Sequence, residues 1–451
     1  MTQTLHFAEA LLPSGWAQNV RLHVSGGTIA RIESGVTAEP GDQKHAVALP
    51  GLPNLHSHAF QRGMAGLAER RGTSTDSFWT WRDTMYRFVD RLNPDDMAAI
   101  AAMAYAEMLE SGFTRVGEFH YLLHDPAGSP YAGAGMAEAL VAAAAETGLA
   151  LTLLPVFYAH AGFGGQAPGP GQRRFITALD QFTKLREASA VALRALPDAV
   201  LGLAPHSLRA VTPDELGALA QMAATAPIHI HAAEQLAEVE ACLAWSGQRP
   251  VEWLLGQAPL GPNWCLVHAT HMTADETQRL ARSGAVAGLC PITEANLGDG
   301  LFPAPDYLAA GGRFGIGSDS NVLIDAAEEL RWLEYGQRLA SKSRNVFAVK
   351  PESSTGAALF GGALSGGAQA VGAAMGLAEG NAADFVTLDP AHPALTGAKA
   401  DQWLDQWIFA AARGAVDGVW RRGQQVVSGG RHVARAAIAA NYRSTIARLL
   451  V

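Results

Sequence analysis

Short runs of alternating apolar and polar residues at both ends of the chain predict strands, whereas the long middle follows another pattern. Residues 20–24 and 29–32 alternate on either side of a Gly-Gly pair, as in two strands joined by a turn. Similar runs return at residues 384–388 and 419–427. The pattern predicts one small β-sandwich domain built from both termini, with residues 1–48 and 381–432 as its two parts.

The middle of the chain alternates apolar, strand-like runs with Ala/Leu-rich segments of helical composition, which is typical of parallel βα units. We count eight such runs, the number that closes a (β/α)8 barrel, and therefore predict an α/β barrel over residues 49–380. The predicted strands are residues 47–55, 113–119, 150–158, 200–205, 228–231, 264–267, 285–290 and 313–317.

Three segments fall outside this alternation. Residues 60–94 form a long insertion after the first strand. Residues 161–172 are rich in Gly and Pro, and we expect a mobile loop near the barrel mouth there. Residues 433–451 have helical composition and are expected to pack back on the body of the protein.

Composition narrows the class of protein. The chain has 451 residues, of which 49% are hydrophobic and 17% charged, and its formal net charge is −9. It therefore has material for a large core, but no basic surface for nucleic acid and no polybasic membrane anchor. The first ten residues lack the pattern of a signal peptide, no apolar run is long enough to span a membrane, and the three cysteines suit reduced thiols. We expect a soluble, cytoplasmic protein.

Polar side chains stand at the carboxyl ends of the predicted strands. His56 and His58 end the first strand, and residues two apart on a strand point to the same side. His231 ends the fifth strand and Asp319 follows the eighth. The carboxyl ends of barrel strands converge on the active site. Three imidazoles and one carboxylate would leave room for a water molecule, as an open catalytic metal site requires.

The remaining histidines need separate interpretations. His229 shares strand parity with His231, so side-chain direction does not choose between them; position at the strand end and the spacing to Glu234 favour His231. His268 ends the sixth strand, and His271 is expected to be structural. Any one of these residues could simply satisfy a backbone carbonyl, but polar residues at the ends of strands one, five, six and eight together are hard to explain by packing.

The first strand with its two histidines, residues 49–58, resembles the opening of the amidohydrolase superfamily. His231, Glu234, His268 and Asp319 match its mononuclear deaminase branch. The resemblance implies a distorted (β/α)8 barrel and metal-dependent hydrolysis. Strand four ends in Ala-Pro-His-Ser, with no lysine where dinuclear members place a bridging one. One divalent ion is therefore implied, with Zn²⁺ favoured and Fe²⁺ or Mn²⁺ as alternatives.

Three further segments are similar to the formimidoylglutamate deiminases, which convert N-formimidoyl-L-glutamate and water to N-formyl-L-glutamate and ammonia in histidine degradation. These segments are residues 56–69, 117–121 and 291–300. The resemblance implies that His56, His58, His231 and Asp319 hold the metal ion and that the protein is a homodimer. It also implies catalytic roles for Glu234 as proton carrier, for His268 as the group that orients hydroxide, and for Asp319 as a second shuttle.

A glutamate derivative carries two carboxylates, and arginine binds carboxylates through its planar, bidentate guanidinium. Arg82, in an aromatic part of the first insertion, and Arg209, just past strand four, are our candidates for the clamp. The resemblance supports both and adds three polar contacts, Gln61, Tyr121 and His206. Trp79 and Trp81 are expected to be cavity walls or core.

Two alternatives remain open. Another amino- or imino-hydrolase, such as an aromatic-base deaminase or an imidazolonepropionase-like enzyme, would want base-stacking aromatic residues and amide groups more than two converging arginines. A barrel kept as a non-catalytic binding protein would be expected to lose a ligand or the general base, and here every expected position is filled.

Overall fold

The computed structural model describes residues 2–69 and 78–450. Strands β1 to β17 are, in chain order, Thr2–Leu12, Gly15–Ser25, Thr28–Glu33, Gln43–Pro50, Leu52–Ser57, Phe113–His120, Ala150–Phe157, Val200–Leu201, Ala204–Pro205, Ile228–Ala232, Trp264–His268, Val286–Leu289, Arg313–Ile316, Phe385–Leu388, Val416–Arg421, Gln424–Ser428 and Arg431–His432. Helices α1 to α14 are Phe78–Val89, Pro94–Glu110, Met136–Thr147, Leu179–Leu193, Pro213–Ala223, Leu236–Ser246, Pro250–Gln257, Ala274–Ser283, Pro291–Leu297, Ala304–Ala309, Ala326–Ser341, Thr355–Ala370, Gln402–Gln406 and Arg435–Leu449.

Strands from both ends of the chain pair in one sheet of eight, in the order β17-β16-β15-β14-β4-β1-β2-β3. The two halves meet where β4 pairs antiparallel with β14, Leu49 opposite Val386. Aromatic packing fills one face: the rings of Phe385 and Trp420 stack with centroids 4.8 Å apart, and Phe7 meets Phe385 edge-on. The terminal β domain is confirmed. The residue numbers proposed for its boundaries stay a prediction.

The middle of the chain forms the expected parallel barrel. Strands β5 to β9 pair in one group and β10 to β13 in another. Isolated bridges join the groups: Ser57 to Asp319 on one side, and Leu203 to Ile228 and Ser207 to His231 on the other. The strands are almost entirely buried, which explains why they read as continuous apolar runs. The α/β barrel is therefore confirmed, and its distortion lies at the junctions between the two groups.

Two of the predicted runs are each divided into two strands, whereas the others match their observed strands to within a residue at each end. The run at residues 47–55 is two strands, since the chain leaves the terminal sheet at Gly51 and enters the barrel at Leu52. Gly51 N donates to Asp384 O of the terminal sheet (3.3 Å), and Leu52 N donates to Gly112 O of the barrel (3.1 Å). The fourth strand is split into β8 and β9 around Gly202, where an added Cβ would lie 2.5 Å from Pro227 O. A change of hydrogen-bonding partner marks the first break, and close backbone approach marks the second.

Helices anchor the segments around the barrel mouth. The first insertion contains the 3-10 helix Ala59–Met64 and α1, and leads into α2, which begins with a capping box of Asn93 and Asp96. Helix α14 packs against α2, as expected for the C-terminal segment, and Tyr442 Oη donates to Arg62 O (3.2 Å). Across residues 2–69 and 78–450, no helix combines the length and the apolar character needed to cross a membrane.

Candidate metal and catalytic site

Four buried side chains meet at the carboxyl end of the barrel. His56 and His58 come from β5, His231 from β10, and Asp319 from the turn after β13. His56 Nε2 lies 3.1 Å from His231 Nε2, and Asp319 Oδ1 lies 3.4 Å from His56 Nε2 and 3.2 Å from His58 Nε2. One donor atom from each residue lies within 4.8 Å of all the others. The structure thus brings together the four residues named as ligands from the sequence.

Hydrogen bonds turn these donor atoms inward. His58 Nδ1 donates to Phe119 O (2.9 Å), and His231 Nδ1 donates to His206 O (3.0 Å), which leaves each Nε2 lone pair facing the cluster. Burial lowers the pKa of His56 to about 3 and also lowers the pKa of His58 and His231, so all three imidazoles are neutral. Facing lone pairs 3.1 Å apart at His56 and His231 suit a shared cation. The donor set fits one divalent metal ion.

Asp319 completes the set as a carboxylate. Burial alone would raise its pKa, but the imidazole of His56, 3.4 Å away, and the charge of His268 lower the pKa below the usual range. Its backbone clamps the first strand, because Asp319 N donates to His56 O (3.0 Å) and Asp319 O accepts from His58 N (2.9 Å). The residue adopts a left-handed φ of 45°. Such strain in a non-glycine residue is typical of a functional site held by its surroundings.

Glu234 and His268 lie beside this cluster. Glu234 Oε1 is 3.8 Å from His268 Nε2, and the same nitrogen is 3.9 Å from Asp319 Oδ2. Burial raises the pKa of Glu234 to about 7, although the charges of His268 and Arg209 oppose it. Burial would lower the pKa of His268, but Glu234, Glu294 and Asp319 together raise it to about 10. The site therefore contains a carboxyl group able to exchange protons near neutrality and a charged imidazolium next to it.

The five expected substrate contacts line one cavity together with Glu234, His268 and Asp319, and the empty volume of this cavity is about 780 Å³. Gln61, Arg82, Tyr121, His206 and Arg209 all reach it. Gln61 Nε2 donates to Tyr121 Oη (2.8 Å). Burial would lower the pKa of Arg209, but Glu238 and Glu234 raise it, so the guanidinium stays charged. The cavity thus joins two cationic side chains to the proposed metal ligands.

The other sequence-based interpretations have different outcomes. His229 is buried, and its Nε2 donates to Ala370 O at the end of α12 (2.8 Å), so it is not among the four clustered donors. His271 forms hydrogen bonds with the backbone of Asp299 and Glu234, as a structural residue does. Trp81 lines the cavity, and the Trp79 side chain lies outside the described part of the chain. In the loop at residues 161–172, Gln172 Nε2 donates to Tyr158 Oη (2.8 Å); its mobility stays a prediction.

Sequence reasoning missed two residues that hold the site together. Glu294 Oε1 lies 3.2 Å from His268 Nδ1. Asn321 Nδ2 donates to His58 O (3.0 Å) and to Asp319 O (3.2 Å), which ties the first strand to the eighth. Both closely follow the end of a predicted strand, and Glu294 also lies in the segment 291–300 that carries the family resemblance.

Comparison with known proteins agrees with this geometry. The model of the amidohydrolase family matches residues 47–426, and that of the formimidoylglutamate deiminase HutF N-terminal domain matches residues 2–46. A formimidoylglutamate deiminase from Pseudomonas aeruginosa is 49% identical over 98% of this chain and 99% of its own length. The chain belongs to the formimidoylglutamate deiminase branch of the amidohydrolase family. The resemblance inferred from the sequence motifs is confirmed.

Further amidohydrolases resemble this chain over a wide range of sequence identity. An 8-oxoguanine deaminase from Pseudomonas aeruginosa is 30% identical over 91% of this chain and 89% of its own length. A crystal structure described as an amidohydrolase from Brucella melitensis covers 100% of both chains at 55% identity, with a TM-score of 0.97. An adenosine deaminase from Xanthomonas campestris with bound zinc has a TM-score of 0.82 at 22% identity, over 99% of this chain and 98% of its own, and shows the shared fold.

Proposed function

We propose that this chain hydrolyses N-formimidoyl-L-glutamate to N-formyl-L-glutamate and ammonia, a step of histidine degradation. The observation that carries the proposal is one cavity lined both by the residues of the metal and proton-transfer site and by two arginines, Arg82 and Arg209. The 49% identity to a formimidoylglutamate deiminase over nearly the whole chain supports the same substrate. A dicarboxylate with an imine-like carbon needs both halves of this cavity.

The ligand cluster would supply the nucleophile. His56, His58, His231 and Asp319 would hold one divalent ion, which when bound lowers the pKa of water enough to provide hydroxide near neutral pH. Glu234 accepts a proton from the attacking water and delivers it to the imine nitrogen as the carbon becomes tetrahedral. A second proton of the same water reaches that nitrogen by way of Glu234 or Asp319. The carbon–nitrogen bond then breaks, and both protons of the water leave with ammonia.

His268 stabilises the charge that develops in this step. Its Nε2 lies between Glu234 and Asp319, at 3.8 Å and 3.9 Å, where it can donate a hydrogen bond to the attacking oxygen. A charged donor in a buried cavity stabilises a tetrahedral centre more strongly than the same donor in water, because the local dielectric constant is low. His268 therefore orients the nucleophile without exchanging the proton that Glu234 carries.

Arg82 and Arg209 would bind the two carboxylates of the glutamate moiety. Arg82 belongs to α1, whereas Arg209 follows β9, so the clamp reaches the substrate from two separate elements. Gln61, Tyr121 and His206 add neutral polar contacts to the same cavity. Burial and the charge of Arg209 lower the pKa of His206, which keeps this ring neutral and able to accept a hydrogen bond.

A panel of substrates tests the proposal. Purified protein is assayed for ammonia release from N-formimidoyl-L-glutamate, 8-oxoguanine, guanine and imidazolone propionate, with Glu234→Gln as the inactive reference. We expect turnover of the first compound alone. The 30% identity to an 8-oxoguanine deaminase makes a purine the second candidate substrate. Ammonia release from a purine and none from N-formimidoyl-L-glutamate would overturn the proposal. No release from any compound would favour the non-catalytic barrel.

We also propose zinc as the native ion, a homodimer and a cytoplasmic location. Three imidazoles and a carboxylate form a set that zinc prefers, with iron or manganese as alternatives to be separated by metal analysis of the purified protein. The dimer is supported by exposed apolar side chains along α11, with Trp332 46% and Leu339 77% exposed. Light scattering of the wild type and of Leu339→Glu tests it, and a monomeric wild type would reject it.

A further inference from the structure

The His268 ring is held from behind by a carboxylate on a separate helix. Glu294, only 6% exposed, lies on α9, which begins directly after β12 and Cys290. Its Oε1 accepts hydrogen bonds from His268 Nδ1 (3.2 Å) and from Cys290 N (2.9 Å). The same oxygen therefore joins the ring to the first turn of α9.

The hydrogen bond between Glu294 and His268 determines the direction in which His268 Nε2 points. His268 and Ala269 have left-handed φ angles of 68° and 48°, so the chain has left ordinary strand geometry at this point. The His268 ring also stacks on His231, with centroids 5.6 Å apart and planes 13° apart. Stacking on His231 restricts tilting of the His268 ring, but it does not fix the rotation of the ring within its own plane. With Nδ1 held by Glu294, Nε2 is the nitrogen that faces Glu234 and Asp319.

Helix α9 has other anchors. Ile292 N donates to Glu329 Oε2 (3.0 Å), and the hydroxyl groups of Thr293 and Ser320 form a hydrogen bond of 2.9 Å. Glu329 thus holds the first turn of α9, as Glu294 does, whereas the carboxylate that meets His268 Nδ1 is that of Glu294. Comparing variants of the two glutamates therefore distinguishes an effect on the orientation of the His268 ring from an effect on the stability of α9.

We infer that Glu294 is a positioning residue for the proposed hydrolysis: its carboxylate fixes His268 with Nε2 directed between Glu234 and Asp319. The inference rests on the proposed function where activity is measured. Carboxylate partners of active-site histidines elsewhere contribute about 10- to 100-fold to activity. Loss of this bond lowers turnover, because the oriented donor is required at the transition state. Substrate affinity changes little, because Arg82 and Arg209 bind the substrate carboxylates.

The test compares three variants of the full-length, metal-loaded enzyme. Glu294→Ala is expected to lower kcat about 10- to 100-fold with KM within about twofold of wild type. Glu294→Gln should recover most of that loss, since its amide oxygen can accept both hydrogen bonds. Glu329→Ala, the matched control, should keep kcat close to wild type after normalisation to folded protein. Crystal structures should show the His268 ring turned or disordered in Glu294→Ala alone.

The outcomes are distinguishable. Wild-type kcat in Glu294→Ala, or equal losses in Glu294→Ala and Glu329→Ala, would overturn the positioning role. If the wild type releases no ammonia from formimidoylglutamate, the proposed function fails, and the orientation of the ring in the crystal structures still decides the inference. If Glu294→Ala does not fold, Glu294→Gln and Glu294→Leu provide the same comparison between a retained and a deleted acceptor.

Discussion

Two buried carboxyl groups of the site, Glu234 and Asp319, have pKa values shifted in opposite directions. Burial raises the pKa of Glu234 to about 7, whereas hydrogen bonding and histidine charges lower that of Asp319 despite its burial. The difference follows from position: Asp319 Oδ1 lies 3.4 Å from His56 Nε2 and 3.2 Å from His58 Nε2, whereas Glu234 Oε1 lies 3.8 Å from His268 Nε2. Glu234 can therefore exchange protons near neutral pH, whereas Asp319 is ionised, as a metal ligand must be, before the reaction begins.

Removing the proton carrier should stop turnover without emptying the ligand cluster. Glu234→Gln keeps the size of the side chain but cannot take a proton, so kcat should fall by about 10²- to 10⁴-fold. Metal content per chain should equal that of the wild type, because Glu234 is not among the four clustered donors. Steady-state kinetics and elemental analysis measure both quantities. Glu240→Gln, an exposed change on the next helix, serves as control; near-normal activity of Glu234→Gln would contradict the role.

Loss of an arginine from the clamp should affect binding more than chemistry. Arg209→Ala removes a charged, bidentate partner of a carboxylate, so KM should rise at least about tenfold or saturation should disappear. Arg209→Lys keeps the positive charge but loses the planar, bidentate guanidinium, so its KM should lie between those of the wild type and Arg209→Ala. The kinetics are measured over a wide range of formimidoylglutamate concentration. Unchanged KM in Arg209→Ala would exclude this residue from the clamp.

At the scale of elements, the sequence predicted the kind and order of the strands better than their ends. The run from Val47 to Leu55 contains Pro50 and Gly51, which mark a break, but these residues do not show that this is the point at which the chain passes from one sheet to the other. That point depends on partners distant in sequence, Asp384 for Gly51 and Gly112 for Leu52. Glu294 was missed for the same reason: its place behind His268 depends on how α9 leaves β12.

The change of sheet at Gly51 makes a prediction about stability. A Cβ at this position would lie 2.2 Å from Thr114 Cγ2, and a β-branched residue in a buried strand has little freedom to move. Gly51→Ala should therefore destabilise the protein by about 1–3 kcal/mol and lower its melting temperature. Gly217→Ala, in α5 with open space around it, is the matched control and should raise the melting temperature slightly. Equal effects of both changes would contradict the packing argument.

At the scale of the whole molecule, the ligand cluster coincides with a junction that closes the barrel. Ser57 pairs with Asp319 where β5 meets the end of β13. Asp319 belongs to the ligand cluster, and so do His56 and His58 on either side of Ser57. The fourth donor, His231, ends β10 and so belongs with Asp319 to the second group of strands, whereas His56 and His58 belong to the first. A cation bound there would hold both groups together, so metal binding and the closure of the barrel should be thermodynamically linked.

Removal of the metal ion should therefore destabilise the whole fold. An ion that binds only the folded chain stabilises it by about 4 kcal/mol when its free concentration is 1,000 times the dissociation constant. Thermal unfolding of the wild type should shift to lower temperature after treatment with a chelator and return when the ion is restored. His231→Ala should have a lower melting temperature before any treatment, and the chelator should change it little. His23→Gln, on the terminal sheet, should lose as much melting temperature on chelation as the wild type does. A melting temperature that is independent of proven metal removal would show that the barrel closes without the ion.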